Sequence, residues 1–85
     1  MMKIYSVYDK KSMVFGQLMT CQDEVQAKRC FERAVNDDDT MLFHYPEDFV
    51  LVEIGDFDEK TGGFESLAMP KQILEAMACF PADKE

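Results

Sequence analysis

The run FVLVEIGDF, residues 49–57, constrains the fold of this chain more than any other stretch. In an extended chain, side chains alternate between two faces. Val50, Val52 and Ile54 share one face, and Phe49 and Leu51 the other. A strand that is apolar on both faces belongs inside a sheet with cover on both sides. The rest of the chain must therefore supply neighbouring strands and something to lie over them.

KIYSVYD, residues 3–9, supplies the first neighbour, because its β-branched and aromatic residues suit a strand. DKKS offers turn chemistry and MVFGQLMTC reads as the return strand, with Gly16 marking a bulge or a close backbone approach. In the next stretch Ala27, Cys30, Phe31, Ala34 and Val35 recur at helical spacing. Thr20 with Asp23 three residues on suggests a capping box, and Asn36 suits a left-handed helix exit. Beyond residue 57, DEKTGG makes a hairpin loop and GFESL a short return strand. MPKQILEAMACF reads as a second helix, with Pro70 at its start, Ile73, Leu74, Met77 and Phe80 as its stripe, and Pro81 as its stop.

The predicted order is ββαββα in a single domain spanning residues 1–85, with residues 80–85 a frayed tail. The fold class is α+β: a small, mostly antiparallel four-stranded sheet with two helices packed on one face. Two helices cover only one face, and apolar residues lie on both. The uncovered face is therefore expected to bury itself in a homodimer or a partner, with Tyr5, Val7, Phe15, Phe49 and Leu51 as the candidate interface.

The chain carries a net charge of −8 in 85 residues, unevenly spread. Residues 1–21 set Lys3, Lys10 and Lys11 against Asp9, whereas residues 40–70 set seven acids against Lys60. An acidic surface repels phosphate backbones and argues against a general nucleic-acid binder. One local patch runs the other way. Tyr5 and Tyr8 sit beside Lys3, Lys10 and Lys11, and Arg29 and Arg33 extend the patch into a candidate single-strand site. No apolar run is long enough to span a membrane, and MMKIYSVYDKK lacks the apolar segment of a signal peptide. The three cysteines form no C-x-x-C pair, which fits free thiols in a reducing cytoplasm.

The densest polar chemistry is NDDDTMLFHYPEDF, with Asp37, Asp38, Asp39 and the sole histidine, His44. Adjacent aspartates point apart unless the loop curls, and His44 has no second imidazole or thiol near it, so no metal or cofactor is expected. Asp56 and Asp58 begin like a calcium loop, but Lys60 and Leu67 stand where acids are required. No nucleophile elbow, P-loop or dinucleotide fingerprint occurs, and the chain is expected not to be an enzyme.

Three blocks, KIYSVYDKKSMVFG, FERAVNDDDTM and HYPEDFVLVEIGDFDEKTG, resemble in order the small nonstructural protein of gokushoviruses, single-stranded-DNA phages of the Microviridae. The resemblance covers residues 2–70. It implies a small non-virion protein in the cytoplasm of the infected bacterium. Members of that family are commonly labelled nonstructural or DNA-binding, with a supposed role in single-stranded genome replication or packaging. It brings no catalytic residue. The implied function is a non-enzymatic accessory protein working through protein contacts with the phage replication initiator or a host replication factor. The alternative is direct binding of single-stranded DNA by the N-terminal hairpin and the basic residues of the first helix.

Overall fold

A computed structural model describes residues 1–79 of the chain. Its four strands are β1 (Met2–Asp9), β2 (Val14–Cys21), β3 (Phe49–Asp58) and β4 (Gly63–Glu75), ordered β2-β1-β3-β4 with every neighbouring pair antiparallel. The run apolar on both faces thus lies inside the sheet, and the α+β class with a four-stranded antiparallel sheet stands as expected. β1 is the other interior strand, so β2 and β4 form the edges.

Helix α1 (Glu24–Val35) lies across one face. Ala27, Phe31 and Val35, one stripe of the helix, bury against Tyr5 of β1 and Phe49 and Leu51 of β3, joined by Cys21 and Ala76. Each large apolar side chain sealed there contributes about 1.5–3 kcal/mol by leaving water. The helix begins one turn later than the capping-box spacing predicts. Asp23, not Thr20, is the N-cap, and its carboxylate accepts from the Gln26 N–H at 2.9 Å. Thr20 is held in β2 opposite Ile4, because sheet pairing continues to Cys21. At the other end Asn36 keeps φ −93°, and its side-chain amide donates to the Glu32 carbonyl at 2.7 Å. That bond caps the helix without the left-handed turn expected of this residue.

A one-turn helix, α2 (Met41–His44), and a 3-10 turn over Pro46–Asp48 then lead into β3. Thr40 fastens this corner twice: its hydroxyl donates to the Ala34 carbonyl at 2.7 Å and accepts from the Phe43 N–H at 3.2 Å.

The larger departure lies in β4. The segment read as a second helix is strand as far as Glu75, and only Ala76–Cys79 forms helix, α3. Ser66 pairs with Gly55 and Lys71 with Glu53, so residues 67–70 bulge out opposite Ile54 alone. Pro70 sits in that bulge, where its missing N–H costs no ladder bond. Phe80, Pro81 and the rest of the tail lie outside the described residues. Among the described residues, no helix is long and apolar enough to cross a membrane.

Candidate functional site

Strand alternation gives the sheet two unlike faces. On the helix side stand Tyr5, Val7, Leu51 and Glu53, in register across β1 and β3. On the far side stand Ile4, Ser6 and Tyr8 of β1, Leu18 and Thr20 of β2, and Val50 and Val52 of β3. No described helix packs there. The Tyr8 and Phe15 rings meet at 4.5 Å, and the Phe57 and Phe64 rings at 5.3 Å. Toward the β3–β4 end a shallow, mainly apolar groove is lined by Ile4, Leu18, Ile54, Gly55 and Phe64, with Glu65 and Ser66 at its side. Two of its walls are well exposed, Leu18 keeping 59% and Phe64 67% of its surface in contact with solvent, over a floor of buried Ile4 and Gly55. An apolar area of this kind marks an interaction surface.

This corrects the interface read from the sequence. Tyr5 and Leu51 are fully buried under α1, Phe49 is buried beside them, and Val7 is half-buried against the same core. Those four residues face the helix layer. Of the five candidates only Phe15, 45% exposed beside Tyr8, lies on the open side. Period-2 alternation separates the two faces correctly, but does not say which of two apolar faces receives the helix. The exposed residues missed on that side are Leu18 and Phe64, with Ile54 between them and Ile4 and Val52 buried beneath. Their signal is the partner parity of the same strands.

The candidate single-strand site is dispersed by the fold. Tyr5 is inaccessible, so its ring cannot stack on a base. Lys3 bridges Glu53 at 3.5 Å and Asp56 at 3.8 Å on the helix side of the sheet, and Lys10 bridges Glu75 at 2.8 Å. Arg29 and Arg33 are exposed on α1, away from its buried stripe. Tyr8 lies across the sheet from them, and Lys11 sits in the exposed β1–β2 loop. Among the described residues no groove joins Tyr5 and Tyr8 to these cations; Lys11 lines a separate one with Tyr45 and Phe49, where Asp9 and Asp48 offset its charge.

The acidic stretch around Asp37 has a local structural account. Asp37 accepts the Asp39 N–H at 3.0 Å, and a ring nitrogen of His44 lies 2.9 Å from the Asp38 carbonyl. A carbonyl only accepts, so that nitrogen, Nε2, carries the proton. His44 therefore fastens α2 to the aspartate turn. The carboxylates of Asp37, Asp38 and Asp39 come within 4.8 Å of one another, and all three are exposed. The turn curls enough to bring them together, contrary to the expectation that they point apart, and exposed acids cluster in this way without holding an ion.

The three thiols are free. Burial pushes the Cys21 thiol above its ordinary pKa, and burial followed by the Glu32 charge does the same for Cys79. Both are held as neutral thiols, the weaker nucleophilic form. Burial, followed by the nearby Glu53 carboxylate, pushes the Tyr5 phenol up to about 12.

Comparison with known proteins bears on what this surface serves. A family model described as "Phage ORF5 protein" matches residues 2–79. Protein ORF5 of Chlamydia phage 1, a gokushovirus of the Microviridae, is 39% identical over 64 residues, covering 71% of this chain and 67% of that protein. No solved structure matches significantly.

Proposed function

We propose that this chain, which belongs to the Phage ORF5 protein family, is a non-enzymatic accessory of single-stranded-DNA genome replication or packaging that works through protein contacts. It would act in the cytoplasm of the infected bacterium, outside the virion, on the phage replication initiator or a host replication factor. The observation that carries this reading is the open sheet face. Phe15, Leu18 and Phe64 are exposed there beside Tyr8 and over the buried Ile4 and Val52, and Glu65 is the one charged residue lining the groove among the described residues, on a chain of net charge −8. Desolvating such a surface favours a protein partner. Holding a nucleic-acid backbone would require cations there instead.

Two measurements test it. Labelled single-stranded DNA, titrated across a salt series, is expected to bind no tighter than the micromolar range. Submicromolar binding with a steep salt slope, abolished by Lys10→Ala with Lys11→Ala, would replace this reading with direct DNA binding. Purified phage replication initiator is expected to bind the wild-type chain and to lose that binding on Phe64→Lys. That substitution places a charge in the groove while leaving the helix-side core untouched. The family's replication role fails for this chain if neither the initiator nor the host's replication factors bind.

A further inference from the structure

We infer that the hollow between the β1–β2 loop and α2 receives a basic peptide segment of a partner protein, one that carries large apolar side chains among lysines or arginines. The hollow lies on the helix side of the sheet, and no residue of α1 lines it. About 550 Å³ in volume, it is lined by Lys11 and Ser12 of the loop and by Met41, Tyr45 and Phe49. Through Asp9, Ser12 and Phe49 it joins a second hollow of about 350 Å³, where Val7, Val14 and Leu42 continue the apolar lining. Volumes of this order are those of ligand clefts. Met41, Tyr45 and Val14 are exposed there, although each is a large apolar side chain.

Charge identifies the occupant. Asp37, Asp38, Asp39, Glu47 and Asp48 flank Met41 and Tyr45 in the chain, and residues 36–48 contain no lysine or arginine. Among the described residues, no ion pair involves any of these five acids. Glu24, Glu53, Asp56 and Glu75, by contrast, each have a lysine. The corner therefore keeps an unbalanced negative field beside an apolar hollow. Lys11 is the one cation lining the hollow, and Asp9 and Asp48 line it too. Such a corner repels a nucleic-acid backbone, and a second copy at −8 brings it more acid than base. A basic segment gains on both counts. Its cations meet unpaired carboxylates, and its apolar side chains leave water against Met41, Tyr45 and Phe49. The hollow lies across the sheet from the groove at Leu18 and Phe64, so this inference goes beyond the protein-contact reading and stands without it.

The test is fluorescence anisotropy of a labelled peptide of lysines interrupted by leucine and phenylalanine, titrated with the full chain up to about 100 µM. The control is the same peptide with serine in place of leucine and phenylalanine. The apolar peptide is expected to bind about tenfold or more tighter than the serine peptide. Met41→Ser with Tyr45→Ser strips the apolar lining without changing the charge. It should cost the apolar peptide about tenfold, and leave the serine peptide and the circular dichroism unchanged. Lys11→Ala, in the exposed loop, decides even if that variant fails to fold. It removes the one opposing cation and should tighten binding several-fold. Weaker binding by Lys11→Ala overturns the inference and assigns the hollow to an acidic ligand. Asp38→Asn with Asp39→Asn should weaken both peptides and flatten their salt dependence. Phe64→Ser should leave binding unchanged, and a loss there would place the peptide on the far face instead. Equal binding of the two peptides overturns the inference, because charge alone would then hold them. So does a wild-type chain that binds neither peptide at the highest concentration. Sedimentation showing self-association lost on Met41→Ser with Tyr45→Ser would seat a second copy in the hollow, and overturns it as well.

Discussion

The two hairpins of this protein close through the same loop and differ in nearly everything else. In the first, the Asp9 carboxylate accepts the Lys11 and Ser12 N–H groups, and its carbonyl accepts the Met13 N–H at 2.7 Å. In the second, the Asp58 carboxylate accepts the Lys60 N–H, and its carbonyl accepts the Gly62 N–H, again at 2.7 Å. Both sequences read Asp-x-Lys, then Ser or Thr, then a left-handed residue. That residue is Gly62 at φ 77° in one loop and Met13 at φ 62° in the other. The second hairpin meets its backbone demands with glycine and carries charge and Pro70 on its outer strand. The first forces a methionine into a glycine conformation and leaves its outer strand uncharged. It also buries the Tyr5 hydroxyl with no hydrogen-bond partner among the described residues. That conformational strain and that unsatisfied polar group are thus gathered on the first hairpin.

The sharpest way to break this comparison is at Gly55. A Cβ there would stand 2.2 Å from the Glu65 carbonyl oxygen and 2.9 Å from the Ser66 Cα, both backbone atoms of β4. The strand cannot yield without losing its pairing to β3. Gly55→Ala should cost about 3 kcal/mol or more in urea unfolding, an overpacking penalty at the top of the usual range. The matching change in the first hairpin is milder. At Gly16 a Cβ would approach only the Val7 carbonyl, at 3.3 Å, and Gly16→Ala should cost about 1 kcal/mol or less. Equal costs at the two sites would mean that the second hairpin is no more tightly built than the first.

The second prediction concerns Tyr5. Its phenol is pushed up to about 12, first by burial and then by the Glu53 charge, so the fold holds the neutral form. The unfolded chain ionises first, near the ordinary value of about 10. The stability tied to Tyr5 is therefore complete below that pH and is lost as the pH climbs toward 12. Wild type should lose about 2–3 kcal/mol more than Tyr5→Phe over this window, each shifted unit being worth about 1.4 kcal/mol. At neutral pH the sign reverses. Tyr5→Phe removes an unsatisfied buried hydroxyl, and should leave the protein unchanged or stabilise it by about 1 kcal/mol. A clear loss at pH 7 would mean that the hydroxyl has a partner, such as a buried water.

How far the sequence carried can be judged on particular residues. The central strand and α1 were legible because their patterns repeat over enough positions to exclude the other period. PKQILE was misread because Ile73 and Leu74 satisfy helical and extended spacing equally. Leu74 is placed by its partner Leu51, more than twenty positions earlier in the chain, a contact that local pattern does not contain. Thr20 and Asp23 are both good N-caps, and pairing of β2 with β1 chose between them. The same kind of long-range choice governs the candidate site. Both parities of β1 and β3 are apolar, so only the docking of α1 reveals Tyr5 and Leu51 as the helix-side core and Ile4 and Val52 as the buried floor of the far face.

The smallest effects test the loops themselves, and they should have opposite signs. A non-glycine residue in the left-handed region costs about 1–2 kcal/mol, partly offset because glycine leaves the unfolded chain freer. Met13 is 71% exposed, so its side chain gives up little packing. Met13→Gly should therefore stabilise the protein by about 0.5–1 kcal/mol. At the other loop a Cβ on Gly62 meets nothing within 4 Å, so Gly62→Ala isolates backbone strain from steric clash. It should destabilise by about 1 kcal/mol. Thermal unfolding of the two variants and their double mutant checks the pair. The loops lie on different hairpins and share no hydrogen bond, so the two shifts should add. A Met13→Gly variant no more stable than wild type would mean that Met13 holds the left-handed conformation at no net cost.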